Sequence, residues 1–467
     1  MSQNWVSELF GLLAAPTAAD SVVAEGWVDD VLAFWFEELK PADWGQRGCQ
    51  RMTDKVLRID SLREAVSRLP DNRLMPMRLA ALEALGKQGL PTLRDEDWKY
   101  TNIAPALDSL VNAPSGDVFD VAIDAVRNRI DADWLVIANG RADVVDIDGV
   151  EIALLSDADV SLESAFALTQ LNTALLHDGF RIRIPAGVAI SRPIGLLFID
   201  DASADGGLSQ GRVEIEMAAG SRASFVEFHT SQGQAKHHAN TVINLQLGDD
   251  AHVDYVRIQD RDRSHSQTSR LDIAAGRDSR LDHCCFDFGG ALVRNDLDIS
   301  IEAHGASAIF NVLYLAGNHQ HIDNHTRVDH RVGPAESQQE YRGILNGNAR
   351  CVWNGKAIVH AGADGTDADQ ANHNLLLSEK AEIDAKPELE IYADEVKCSH
   401  GTTVGQLDET ALYYLRTRGL DKQLAQQVLT QAFAQAIVSR SAVASADTFL
   451  AQMIDERLER LLGGIEK

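Results

Sequence analysis

The chain has 467 residues, 45% apolar and 24% charged, the composition of an ordinary globular protein long enough for more than one domain. Its 70 acidic and 43 basic residues leave a net charge of -27, and no Lys/Arg cluster stands out, which argues against nucleic acid as a partner. The five cysteines (Cys49, Cys284, Cys285, Cys351 and Cys398) are odd in number and contain no Cys-x-x-Cys pair, so a secreted disulfide framework is not expected.

Reduced thiols fit a cytoplasmic protein. No apolar run approaches the roughly 18 residues that span a bilayer. The N-terminus has no basic stretch of the kind that opens a signal peptide.

Residues 1–51 form a tryptophan-rich extension unlike the rest of the chain, with an apolar run at Leu9–Ala15 and the string Val31-Leu-Ala-Phe-Trp-Phe. Residues 52–180 read as an N-terminal helical and α/β region. Leu79, Leu82 and Leu85 recur at helical spacing, with Gly86 placed to end the turn. The charged, aromatic stretch Arg94-Asp-Glu-Asp-Trp-Lys-Tyr-Thr-Asn-Ile then predicts a loop whose Trp98 and Tyr100 pack on the body.

From residue 181 the apolar positions alternate. Val213/Ile215/Met217, Ile243/Leu245/Leu247 and Leu297/Ile299/Ile301 have the period of strands with one buried face. Gly220, Gly248, Gly276, Gly305 and Gly333 succeed one another at spacings of 28, 28, 29 and 28 residues. A fixed period of this size signals stacked coils, because one coil cannot bury its own apolar face. The prediction is a mainly β chain with a parallel β-helix (β-solenoid) core over 181–405; a sandwich of hairpins is the runner-up.

Residues 406–467 read as a C-terminal helical domain. Asp408 caps a first helix with Leu412, Tyr414 and Leu415 on its packing face. Asp421 opens a second, and Ala446–Leu462 forms a third. Helices so few in number must pack on the body or on a partner.

Enzyme constellations are missing. There is no phosphate-binding Gly-x-x-x-x-Gly-Lys-Ser/Thr loop and no serine nucleophile elbow. A β-helix carbohydrate-active enzyme is the alternative that the fold alone would allow. All fifteen histidines lie between His177 and His400, and His319, His321, His325 and His330 crowd together, but their spacing matches no zinc template. The most suggestive chemistry is Cys398 and His400. Two residues apart on a strand, they share a face, and thiolate and imidazole are both ligands for iron. Two ligands do not complete a site, and a buried cysteine beside a structural histidine is the competing explanation.

The run Leu375-Leu-Leu-Ser-Glu-Lys-Ala-Glu-Ile-Asp-Ala-Lys-Pro-Glu-Leu-Glu-Ile-Tyr-Ala-Asp-Glu-Val-Lys-Cys-Ser-His-Gly-Thr-Thr-Val-Gly-Gln-Leu-Asp-Glu resembles the C-terminal signature of the SufB/SufD family of iron–sulfur cluster assembly scaffolds, in its SufD form. Glu96-Asp-Trp-Lys-Tyr-Thr-Asn, Gln338-Gln-Glu-Tyr-Arg-Gly-Ile-Leu and Thr366-Asp-Ala-Asp-Gln agree with it, and the resemblance spans about residues 53–440.

That resemblance implies a right-handed β-helix flanked by helices, and a scaffold subunit with no catalysis of its own. It implies pairing with a SufB chain through the β-helix, with homodimerisation when alone. It also implies a SufC ATPase bound by the C-terminal helices, and a role in iron acquisition. The cofactor implied is a transient iron–sulfur cluster shared with SufB, none being tightly held by this chain. The family's interface histidine matches His400, with Cys398 a weaker candidate. SufB-like chains carry Glu-His-Glu at this motif and a cysteine upstream. Here the motif reads Ser399-His400-Gly401, and Gln370-Ala-Asn-His-Asn has no cysteine.

Overall fold

The computed structural model describes residues 59–107, 120–202 and 207–463; the extension expected over 1–51 lies outside these residues. Helices α1 (Ile59–Ser67) and α2 (Met75–Gln88) come first, then a 3-10 turn at Glu96–Trp98, α3 (Ala104–Leu107) and α4 (Asp120–Arg127). Strands β1 (Asp133–Ala138), β2 (Arg141–Asp143) and β3 (Glu151–Leu154), helix α5 (Ala167–Leu175) and β4 (Phe180–Ile184) lead into the repeat. The repeat runs β5 (Ile194–Ala202), β6 (Leu208–Met217), β7 (Arg222–Gly233), β8 (His237–Leu247), β9 (His252–Asp260), β10 (His265–Ala275), β11 (Arg280–Asp287) and β12 (Leu292–Ile301). It continues as β13 (Ser307–Ala316), β14 (His321–His330), β15 (Glu336–Leu345), β16 (Arg350–Val359), β17 (Asp367–Leu376), β18 (Glu382–Ile391) and β19 (Lys397–Gly405). Helices α6 (Glu409–Thr417), α7 (Lys422–Val438) and α8 (Ala444–Gly463) complete the described chain.

Strands alternate between two sheets. One has ten strands in the order β19-β17-β15-β13-β11-β9-β7-β5-β1-β2; the other has nine, β18-β16-β14-β12-β10-β8-β6-β4-β3. Neighbours from β4 and β5 onward pair in parallel, as a solenoid requires. The sheets begin before residue 181, because β1 pairs in parallel with β5, while β2 and β3 add antiparallel strands at the starting end.

The apolar triplets fall in register. Val213 lies beside Ile243, Ile243 beside Leu271 and Leu271 beside Leu297, and all face the core between the sheets. Each such side chain contributes about 1.5–3 kcal/mol when buried, so each coil is stabilised by the coils above and below it.

The glycine period is a mean of unequal coils. Arg222 pairs with His252, His252 with Arg280 and Arg280 with Ser307, giving steps of 30, 28 and 27 residues. The left-handed residue of each turn is Gly220, Asp250, Asp278 and Gly305 in succession, with φ of 68°, 55°, 53° and 75°. Gly248 and Gly276 stand two residues earlier, where coils approach closely. A Cβ on Gly276 would lie 2.7 Å from the Leu247 carbonyl oxygen.

The helices differ in detail from the expectation. Helix α2 runs through Gly86 and ends at Gly89, whose φ is 78°. Leu82 and Leu85 are buried, whereas Leu79 is exposed. Asp408 does cap α6, accepting from the Thr410 N–H, but Tyr414 faces solvent while Leu412 and Leu415 are buried. Helices α7 and α8 cover the outer face of the ten-stranded sheet, joining Ile437, Phe449 and Leu450 to Phe228, Phe286 and Leu313.

Candidate functional site at the open end of the solenoid

Cys398 and His400 lie on β19, the last strand of the ten-stranded sheet. Parallel neighbours in register share a face. Cys398 pairs with Ala368, His400 with Gln370 and Thr402 with Asn372, and those three β17 residues are fully buried in the solenoid interior. Cys398, His400, Thr402 and Val404 therefore occupy core positions of a coil that has no successor among the described residues. Their exposure reflects this: Cys398 is half-buried, and His400 and Thr402 are exposed, as is Val404. Opposite them, β18 supplies Ile383, Ala385, Pro387, Leu389 and Ile391 in register with the buried Cys351, Trp353, Gly355, Ala357 and Val359 of β16. The end of the solenoid is thus an open mouth, half apolar, with a thiol and an imidazole on its other wall.

Burial raises the Cys398 thiol above its ordinary pKa. On the other face of β19, the Ser399 hydroxyl donates to Asp369, and Thr403 Oγ1 lies 2.8 Å from His373 Nδ1. These bonds tie the edge strand to β17 from outside; on the inward face Thr402 Oγ1 donates to Asn372 Oδ1 at 3.3 Å.

Structure brings Cys398 and His400 together on one face, as their spacing predicts. It adds no third ligand: among the described residues, no group of three or more His, Cys, Asp or Glu side chains is placed to hold a metal ion. The histidines of β14 and its approach are dispersed. His330 is buried against Ser337, His325 pairs with Asp323 at 3.0 Å, His321 bonds Thr101 at 2.7 Å, and His319 lies near Asn348 on the surface.

The signature blocks make contacts across the nine-stranded sheet and to α7. Trp98 lies under the Arg294 guanidinium at 4.4 Å, and Arg294 also donates to the Asp97 carbonyl. Thr101 donates to Asp323, and Glu96 reaches Lys386 on β18 at 2.9 Å. The segment Glu96–Thr101 is therefore a strap across β12, β14 and β18, and Trp98 does pack on the body as expected. From the Gln338–Leu345 block, Glu340 accepts from Arg440, and Arg342 donates to the Phe433 carbonyl, docking α7. Sequence reasoning missed the apolar half of the mouth. Extending the alternation through Ile383, Ala385, Pro387 and Leu389 would have found it, but proline and alanine mask the pattern.

The family profile described as "SUF system FeS cluster assembly, SufBD core domain" matches residues 198–433, from the second half of β5 into α7. The iron–sulfur cluster assembly protein SufD of Escherichia coli is 29% identical over 399 residues, covering 83% of this chain and 93% of its own length. An iron–sulfur cluster assembly SufBD family protein of Synechocystis is 28% identical, covering 88% of this chain and 97% of its own. SufD of Bacillus subtilis is 24% identical over 62% of this chain and 67% of its own length. With its solenoid core, its strap and its Cys-Ser-His-Gly edge strand, the chain belongs to the SufBD family of iron–sulfur cluster assembly proteins and is of the SufD type.

Proposed function

We propose that the open mouth is half of a shared cluster-assembly site, with a SufB-like chain supplying the other half by stacking its own solenoid edge on β18 and β19. The observation that carries this reading is the placement of Cys398 and His400 at interior positions of an uncovered coil. An unpaired strand edge with an apolar floor is a template for adding strands. His400 and Cys398 then face a nascent iron–sulfur cluster, the cargo of the assembly, as ligands short of a full set. His400 is the principal group and Cys398 the lesser one. The chain serves as a scaffold that supports iron acquisition and turns over no substrate itself; alone it forms at most a homodimer that holds a cluster poorly.

A SufC-like ATPase docks on the C-terminal helices. Helices α7 and α8 are occupied with the body, so the docking surface narrows to α6 and the start of α7, where Tyr413, Tyr414 and Leu424 are exposed. The net charge of -27 speaks against a nucleic-acid partner. No described helix is long and apolar enough to cross a membrane; the cytoplasm is the proposed place of assembly.

The test is His400→Ala in the co-expressed complex. Assembly of the subunits should be retained and cluster formation, read by iron content and visible absorbance, should fall strongly, with a smaller fall for Cys398→Ser. Undiminished cluster formation in the intact complex refutes the assignment.

A further inference from the structure

Within the solenoid, residues of strands β7 to β15 line a small cavity of about 40 Å³. Its walls include Arg257, His283, Cys285, Asn295, Asn324 and Tyr341. Several polar atoms there are buried with no hydrogen-bond partner: Arg257 Nε, both ring nitrogens of His283, Asn295 Oδ1 and Asn324 Nδ2. Arg257, His283 and Asn324 are each at least nine-tenths enclosed. Such orphans are rare in folded proteins, because each unmade bond costs about 1–3 kcal/mol.

We propose that this cavity is a built water site, holding ordered water that bridges the two sheets. The chemistry of the orphan atoms selects the ligand. Arg257 Nε and Asn324 Nδ2 donate, Asn295 Oδ1 accepts, and His283 does one at each nitrogen. An anion needs donors alone, and here it would meet Glu227, which lines the cavity with its carboxylate 3.5 Å from Arg257 Nε. A cation needs acceptors alone and would meet the Arg257 guanidinium. Water supplies both. The volume suits it too, since one water needs about 10–15 Å³ of such space and two to four polar partners, so about three or four waters fit.

The remaining valences on these residues are already closed within the protein. Arg257 Nη2 donates to Ser269 at 2.9 Å, and Asn295 Nδ2 donates to Asp287 and Asn324, both at 2.8 Å. Water would complete a polar layer running from β7 to β14 through an otherwise apolar core.

Radiolytic hydroxyl-radical footprinting of the intact chain tests this, because internal water generates radicals beside buried side chains. Cys285 and Tyr341 line the cavity; Cys351 and Tyr314 are also buried in the same apolar cluster but do not line it. Labelling of Cys285 and Tyr341 is expected to be several-fold faster than that of Cys351 and Tyr314. Equal protection of all four overturns the proposal. A high-resolution crystal structure gives a second reading. Ordered water within bonding distance of Arg257 Nε and Asn324 Nδ2 supports it, and a dry cavity, or one closed by rotation of His283 or Asn324, overturns it.

Discussion

Arg294 Nη1 stands 2.6 Å from the Asp323 carboxylate, and both side chains are almost wholly enclosed between the nine-stranded sheet and the strap. Although burial pushes the Asp323 carboxyl up, Arg294 and then His325 hold it well below the usual carboxylate range. Removing one partner leaves a buried charge unmatched. Arg294→Met is expected to destabilise the protein by about 3–5 kcal/mol, whereas Arg294→Met with Asp323→Leu recovers part of that loss. Urea denaturation midpoints of the two variants check this.

Acid should weaken the solenoid well before its carboxylates titrate. Burial drives the pKa down to about 3 for His238 and to about 4 for His229, His283 and His330, from an ordinary 6.5. Between pH 6.5 and 4 the unfolded chain therefore binds protons that the folded chain refuses. Stability is full above that window and falls as pH drops through it. Below it, Glu227 adds to the loss: burial pushes it up, but His229 and Arg257 bring it to about 2 when folded. Denaturation midpoints at pH 7, 6 and 5 should decline in order; a flat profile contradicts the buried neutral histidines.

Thiol chemistry should single out Cys398 among the cysteines of the described residues. Cys284, Cys285 and Cys351 are buried, and burial raises each thiol, Cys284 to about 12. Cys398 is only half-buried. A bulky disulfide reagent on the native chain is expected to modify Cys398 before Cys284, Cys285 and Cys351, as read by peptide mass mapping, and the proposed SufB-like partner should slow that reaction.

Gly343 sits where β15 passes beneath Tyr314. A Cβ there would lie 2.3 Å from Tyr314 Cε2 and 2.5 Å from Asn374 Oδ1, and both neighbours are locked by their mutual hydrogen bond. Gly343→Ala is expected to cost about 1–3 kcal/mol through overpacking, measured as a drop in thermal midpoint.

The ATPase docking proposed for α6 can be tested apart from folding at Tyr413 and Tyr414. Both are exposed on α6, so Tyr413→Ser with Tyr414→Ser should leave the unfolding free energy within about 0.5 kcal/mol of the parent. Co-purification of the ATPase should fall sharply. Unchanged co-purification moves the docking surface elsewhere.

The alternation of Val213, Ile215 and Met217 and its recurrence at near-28-residue steps pointed to a stacked β fold ahead of a hairpin sandwich, because a repeating coil buries one face of each strand at that period. Cys398 and His400 were likewise placed on one face by spacing alone. The sequence could not show which face. That was decided by the register of β19 on β17, which puts both residues over Ala368 and Gln370 and so at core positions left bare where coiling stops. Nor could it reveal the partners of Arg257, Asp323 or Trp98. Polar residues on a strand look alike whether they meet water or one another, and their contacts join residues such as Glu96 and Lys386, 290 positions apart. Periodicity is a local property and is written in the chain, whereas burial of charge depends on what the other coils bring to the same place.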